Sequence, residues 1–227
     1  MRWYLGALAL LPALAQAGPV VNGDFETGVL SPWVGYTDPA TLRDPFVADS
    51  HGSGISGLAG GDDLYAVLDT TSGIGNVAGQ SYLASISQQV TLGGVTGMLE
   101  FSLLDPSDPL RPAGNHSGML LDNIAITQDS GGNDVLSFNY YALTKKDQRR
   151  NDVFTVSFEG AELFTFNYTS PDLPTHDANG GGGNSFGPFS YGTGWKSGST
   201  TVPVVPEPGT WLLLSCGLVP ILRRRRR

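Results

Sequence analysis

Apolar and polar residues alternate with a period of two in one short stretch of this 227-residue chain after another. The stretches are LYAVLDT (64–70), ASISQQVTL (84–92), GMLEFSLLD (97–105), GMLLDNIAIT (118–127), DVLSFNYYAL (134–143), DVFTVSFEG (152–160) and ELFTFNYTS (162–170). Successive side chains of a strand point to opposite faces, so each stretch buries one face, or both where it runs apolar throughout. Gly, Asn, Asp and Pro bound the stretches, and FEGAEL offers a tight hairpin in which Gly160 takes positive φ. Helical spacing is scarce between residues 18 and 205. Short strands separated by turn signals predict an all-β fold, an antiparallel β-sandwich.

Two stretches break this pattern. Residues 37–63 read as a long polar connection over the rim of the sandwich. Residues 170–205 are rich in Gly, Ser and Pro, the first part a loop and 196–205 a linker. Phe186, Phe189, Tyr191 and Trp195 are too many aromatics for a linker alone, so part of this stretch packs or presents a surface. The sandwich domain is accordingly expected over 18–195.

Both ends carry an address. Arg2, a Leu/Ala run and Ala15-Gln16-Ala17 form the charged, apolar and cleavage regions of a secretory signal peptide, residues 1–17, cut by signal peptidase. At the other end, Gly209–Leu222 is apolar apart from Thr210 and Ser215, and Arg223, Arg224, Arg225, Arg226 and Arg227 follow it. An Arg costs about 2.5–3.5 kcal/mol at mid-membrane, so the cluster stays cytoplasmic while the body lies outside. Pro206-Glu207-Pro208, an apolar helix and an Arg cluster, in that order over residues 206–227, resemble the PEP-CTERM sorting signal of Gram-negative bacteria. That resemblance implies processing by an exosortase, with inner-membrane anchoring first and release to the cell surface or extracellular matrix afterwards.

Charge narrows the partners. Of 13 Lys+Arg, Arg2 and the five terminal arginines leave with the ends; of 21 Asp+Glu, only Glu207 leaves. Seven cations against twenty acids remain, a net of −13, which disfavours nucleic acid and suits divalent cations. The one cysteine, Cys216, lies in the apolar tail, so the exported body uses no disulfide.

The body opens on VVNGDFETGVLSPW, with Asp24 and Glu26 flanking Phe25 and Trp33 seven residues after Glu26. N-G-x-F-E with a following Trp, and the L-D-N-I of LLDNIAIT (121–124), resemble the galactose-binding-like jelly rolls. The resemblance implies first and last strands side by side and a structural Ca²⁺ held by Asp24, Glu26 and Asp122 with backbone carbonyls. Here L-D-N-I lies mid-chain, and the plain alternative is acidic residues at strand ends. Asp105, Asp108 and Asn115 in DPSDPLRPAGNHS are a second oxygen-rich loop, and Asp177 and Asn179 a third, whose twelfth position, Pro188, excludes an EF-hand.

The sequence assembles no catalytic set. His51, His116 and His176 sit in separate polar loops, GNHSGM has the wrong frame for a nucleophile elbow, and the abundant acids define no opposed pair. Trp195, Tyr191 and Tyr36 are the residues placed to stack on sugar faces, whereas Trp33 is expected in the core. The sequence therefore predicts a non-enzymatic surface or matrix protein that binds or associates with extracellular polysaccharide. The alternatives are a purely structural biofilm or coat component and, behind it, a secreted glycan hydrolase.

Overall fold

The computed structural model describes residues 20–39, 44–49, 64–70, 80–106, 117–144, 152–168 and 191–203. The signal peptide and residues 206–227 lie outside the described residues, as do the three histidines. Eleven strands are present among the described residues: β1 (Val34–Thr37), β2 (Phe46–Asp49), β3 (Leu64–Asp69), β4 (Tyr82–Leu92), β5 (Val95–Asp105), β6 (Ser117–Gln128), β7 (Asp134–Thr144), β8 (Val153–Phe158), β9 (Ala161–Asn167), β10 (Tyr191–Gly192) and β11 (Lys196–Val202). They form two sheets, every described pairing antiparallel. Sheet I runs β1-β4-β5-β8-β9, and sheet II runs β10-β7-β6-β3-β2, with β11 also on β7. The β-sandwich expected from the alternation is the architecture observed.

The alternation decides which side chains meet. Ala84, Ile86, Val90 and Leu92 of β4, Leu99, Phe101 and Leu103 of β5 and Phe154, Val156 and Phe158 of β8 face Leu136, Phe138, Tyr140 and Ala142 of β7 across one core. Gln88 falls on this inward face yet stays paired. Its side-chain amide donates to Val21 O and accepts from Val21 N, both at 2.9 Å, standing in for a strand neighbour.

Beyond Asp122 the phase of β6 has to change. Asp122 pairs with Asn139 and Ala125 with Ser137, so two residues of β6 oppose Phe138 alone. Asn123, with φ 50°, is the bulged residue. The extra residue turns Ile124 and Ile126 toward the core, where unbroken alternation would have placed Asn123 and Ala125.

The hairpins follow the predicted chemistry. Gly93-Gly94 joins β4 to β5 with φ 64° and 79°, and Glu159-Gly160 joins β8 to β9 with φ 49° and 77°, the two-residue geometry that matches strand twist.

Four strands were not legible as such. β1 and β2 have four residues each, too few for alternation to register, and β2 lies inside the stretch expected to be connection. The expected linker 196–205 also needs correction. Lys196–Val202 is an edge strand paired with Asp134–Tyr140 along its whole length. Its sequence, KSGSTTV, looks like linker because backbone pairing rather than apolar burial holds it. Gly198 is the exception: a Cβ there would lie 2.4 Å from Phe138 Cζ, so the strand can seat against that ring only as glycine. β10 covers the end of the same edge, and Thr193 bridges the two by bonds to Ala142 N and O, each 3.0 Å.

Candidate functional site

The segment Asn22–Glu26 folds as a tight corner rather than a strand. Asn22 and Phe25 both have positive φ, 54° and 56°, and a bulky residue there stores strain that its surroundings must offset. The Asn22 amide donates to Val29 O at 2.7 Å and Ser31 O at 3.1 Å and accepts from Thr27 Oγ1 at 2.9 Å, closing the loop on itself. Trp33 Nε1 donates to Asn22 O at 3.1 Å. Phe25 and Trp33 then bury against each other, centroids 6.1 Å apart, confirming Trp33 as core.

This corner docks on the β6 bulge: Ile124 N donates to Gly23 O at 2.9 Å. The two motifs that sequence reading paired, N-G-D-F-E and L-D-N-I, are therefore neighbours. Their carboxylates are engaged with main chain. Asp24 Oδ1 accepts from Glu26 N at 3.4 Å, Glu26 Oε1 from Leu64 N at 3.3 Å, and buried Asp122 Oδ1 from Asn123 N at 2.7 Å. Among the described residues no group of three His, Cys, Asp or Glu side chains is placed to hold a metal ion. The strand adjacency implied by the jelly-roll resemblance takes a different form. β1 lies beside β4 in sheet I, β11 beside β7 in sheet II, and it is the corner before β1 that reaches β6.

The three aromatic candidates are scattered. Trp195 packs edge-on against Tyr65 and Tyr141, at 5.7 and 5.8 Å, over an apolar cluster of Ala48, Val67, Leu120 and Leu143 on the outer face of sheet II. Burial pushes the Tyr141 phenol above its usual range, against a smaller opposing effect of a hydrogen bond with the Gly194 backbone. Tyr191 lies on β10. Tyr36 stands alone on β1 with 53% of its surface exposed, on the opposite sheet from the other two.

At the far end of the sandwich, Asp105 closes β5 and Asp152 precedes β8, both buried, and Ser117 Oγ donates to Asp152 Oδ2 across the two sheets. Asp108 and Asn115, the other oxygen donors of DPSDPLRPAGNHS, lie with Asp177 and Asn179 outside the described residues. At the β6–β7 turn, the Asn133 side chain and backbone hold the fully exposed Asp129 carboxyl below its usual value, with Gly131 N donating to Oδ1 at 2.8 Å. That geometry closes a turn.

Comparison with protein-family models, with curated proteins and with solved structures finds no match to this chain.

Proposed function

We propose that this chain is an exported, exosortase-processed surface or matrix protein of a Gram-negative bacterium, without enzymatic activity, whose β-sandwich associates with extracellular polysaccharide. The observation that carries this reading is the three-part sequence of the tail: Pro206-Glu207-Pro208, the apolar run to Leu222, then Arg223–Arg227. A cysteine-free, strongly acidic sandwich between a secretory signal and such a tail suits display outside the membrane. A coat component that recognises no ligand is the competing reading, since a rigid sandwich serves it as well. The test is fractionation of the full chain in an exosortase-bearing host. Wild type is expected outside the cell, shortened by the tail, and retained on the host's own exopolysaccharide. Replacing Pro206-Glu207-Pro208 by Ala is expected to leave uncut protein in the inner membrane. Intact protein in the cytosol would refute the reading, and export without polysaccharide retention favours the coat.

We also propose a galactose-binding-like kinship for the body, supported by the docking of N-G-D-F-E on L-D-N-I, and a structural Ca²⁺ at that corner. Asp24, Glu26 and Asp122 are oxygen donors of the kind calcium takes, and six to eight ligands require backbone carbonyls beside them. If a hundredfold excess of calcium over its Kd stabilises the fold by about 2.7 kcal/mol, EDTA lowers Tm by about 5–11 °C for a chain of this size. That shift is the expected result in the exported protein, with Asp122→Asn abolishing the response; an EDTA-insensitive wild type removes the metal.

A further inference from the structure

We propose that the outer face of sheet I binds a neutral polysaccharide laid across its strands, a proposal that rests on the polysaccharide reading above and gives it a site. The registers place Tyr36 opposite Ser85, Ser85 opposite Ser102, Ser102 opposite Thr155 and Thr155 opposite Thr165. One row perpendicular to the strands therefore carries a hydroxyl on each of the five strands. Along β4, β5, β8 and β9 these positions alternate with Ala84, Ile86, Phe101, Leu103, Phe154, Val156 and Phe166, which line the core, so the row faces away from it. With strands about 4.8 Å apart, four steps span about 19 Å, the length of an extended ligand rather than a single sugar.

The flanking rows complete an amphipathic surface. On one side lie Leu83, Leu104 and Val153, in register with one another and followed by Asn167 on β9. On the other lie Val34, Ser87, Glu100, Ser157 and Glu162. A sugar ring offers hydroxyls at its edge and C–H groups on its faces, and this surface offers partners for both. A Ser or Thr hydroxyl can both donate and accept; Ser102 Oγ donates to Thr155 O at 3.4 Å, which leaves its oxygen to accept from a sugar hydroxyl. Ser85 is buried at the floor, and Tyr36 rises at the rim, where its ring is free to stack on a sugar face.

Charge selects the class of chain. The five strands carry Glu100 and Glu162 on this face and no lysine or arginine, so an anionic polysaccharide meets repulsion without compensation. The backbone is already ordered by the core beneath it, so binding does not bear the cost of folding a loop.

The test is depletion of the exported protein by microcrystalline cellulose, curdlan and alginate, with Tm measured for every variant. Wild type is expected to bind at least one of the two neutral glucans and not alginate. Tyr36→Ala, and Ser102→Ala combined with Thr155→Val, should each raise Kd tenfold or more, while Ser197→Ala on β11 leaves it unchanged. Should the paired variant lose stability, the exposed Tyr36→Ala decides alone. Neutral-glucan binding that survives these changes overturns the face and leaves the polysaccharide reading standing, as does binding to alginate only. Failure to bind all three and the host's own exopolysaccharide overturns that reading and the face with it.

Discussion

Gly23→Ala is expected to cost about 3–6 kcal/mol of folding stability although it adds one methyl group. A Cβ at position 23 would lie 2.0 Å from Ile124 O and 3.0 Å from Ile124 C. Both are main-chain atoms of a strand paired with β7, so no side chain is available to swing aside. The corner must instead lift off the bulge, breaking the bond from Ile124 N to Gly23 O and withdrawing Phe25 and Trp33 from the core. Burial of a large apolar side chain contributes about 1.5–3 kcal/mol, and two are at stake, against a total of about 5–15 kcal/mol for a typical domain. Urea unfolding checks both magnitude and mechanism. The midpoint should fall, and m should fall with it because the variant's native state is already partly open. Phe25→Ala added to Gly23→Ala should cost much less than Phe25→Ala alone, since the ring has already left its site. A midpoint equal to wild type would mean that the corner does not depend on this contact.

The same corner shows how far sequence reading reached. All seven stretches became strands: where polar residues alternate, period two identifies the inward set, Leu99, Phe101 and Leu103 or Leu136, Phe138 and Tyr140, whereas LYAVLDT is apolar for strand length and buried on both faces. What alternation cannot report is phase and partner. The bulge at Asn123 is one residue long, and nothing in LLDNIAIT marks it except an Asn able to take positive φ. β11 was hidden for a different reason, since an edge strand of Lys, Ser, Gly and Thr buries almost nothing of its own. The aromatic candidates divided in the same way. Trp195 follows a Gly-rich stretch, which made it look displayed, but Tyr65 and Tyr141 reach it from strands distant in sequence. The hydroxyl row on sheet I was beyond any one-dimensional reading. Its members come from five separated strands, and only the register sets them in line.

Phe101→Ala is expected to be the most damaging single change to the core, costing about 3–5 kcal/mol and lowering Tm by about 6–20 °C in a chain of this size. Phe101 sits in β5, the central strand of sheet I, between Ile86 and Val156. Its ring meets Trp33 edge-on at 5.8 Å, Phe138 at 5.3 Å and Phe154 at 6.3 Å, so it joins the N-terminal corner, sheet II and its own sheet at one point. The cost of such a truncation depends on whether neighbours collapse into the space, and here they are held back. Trp33 is tethered through Nε1 to Asn22 O, Phe138 is seated over Gly198, and Phe154 is fixed by the pairing of β8 with both β5 and β9. The cavity therefore stays open, and the loss falls toward the upper end of the range. Val34→Ala, on the outer side of edge strand β1 and 63% exposed, should stay within about 0.5 kcal/mol of wild type. Equal melting temperatures for the two variants would show that the sheets are not joined through Phe101.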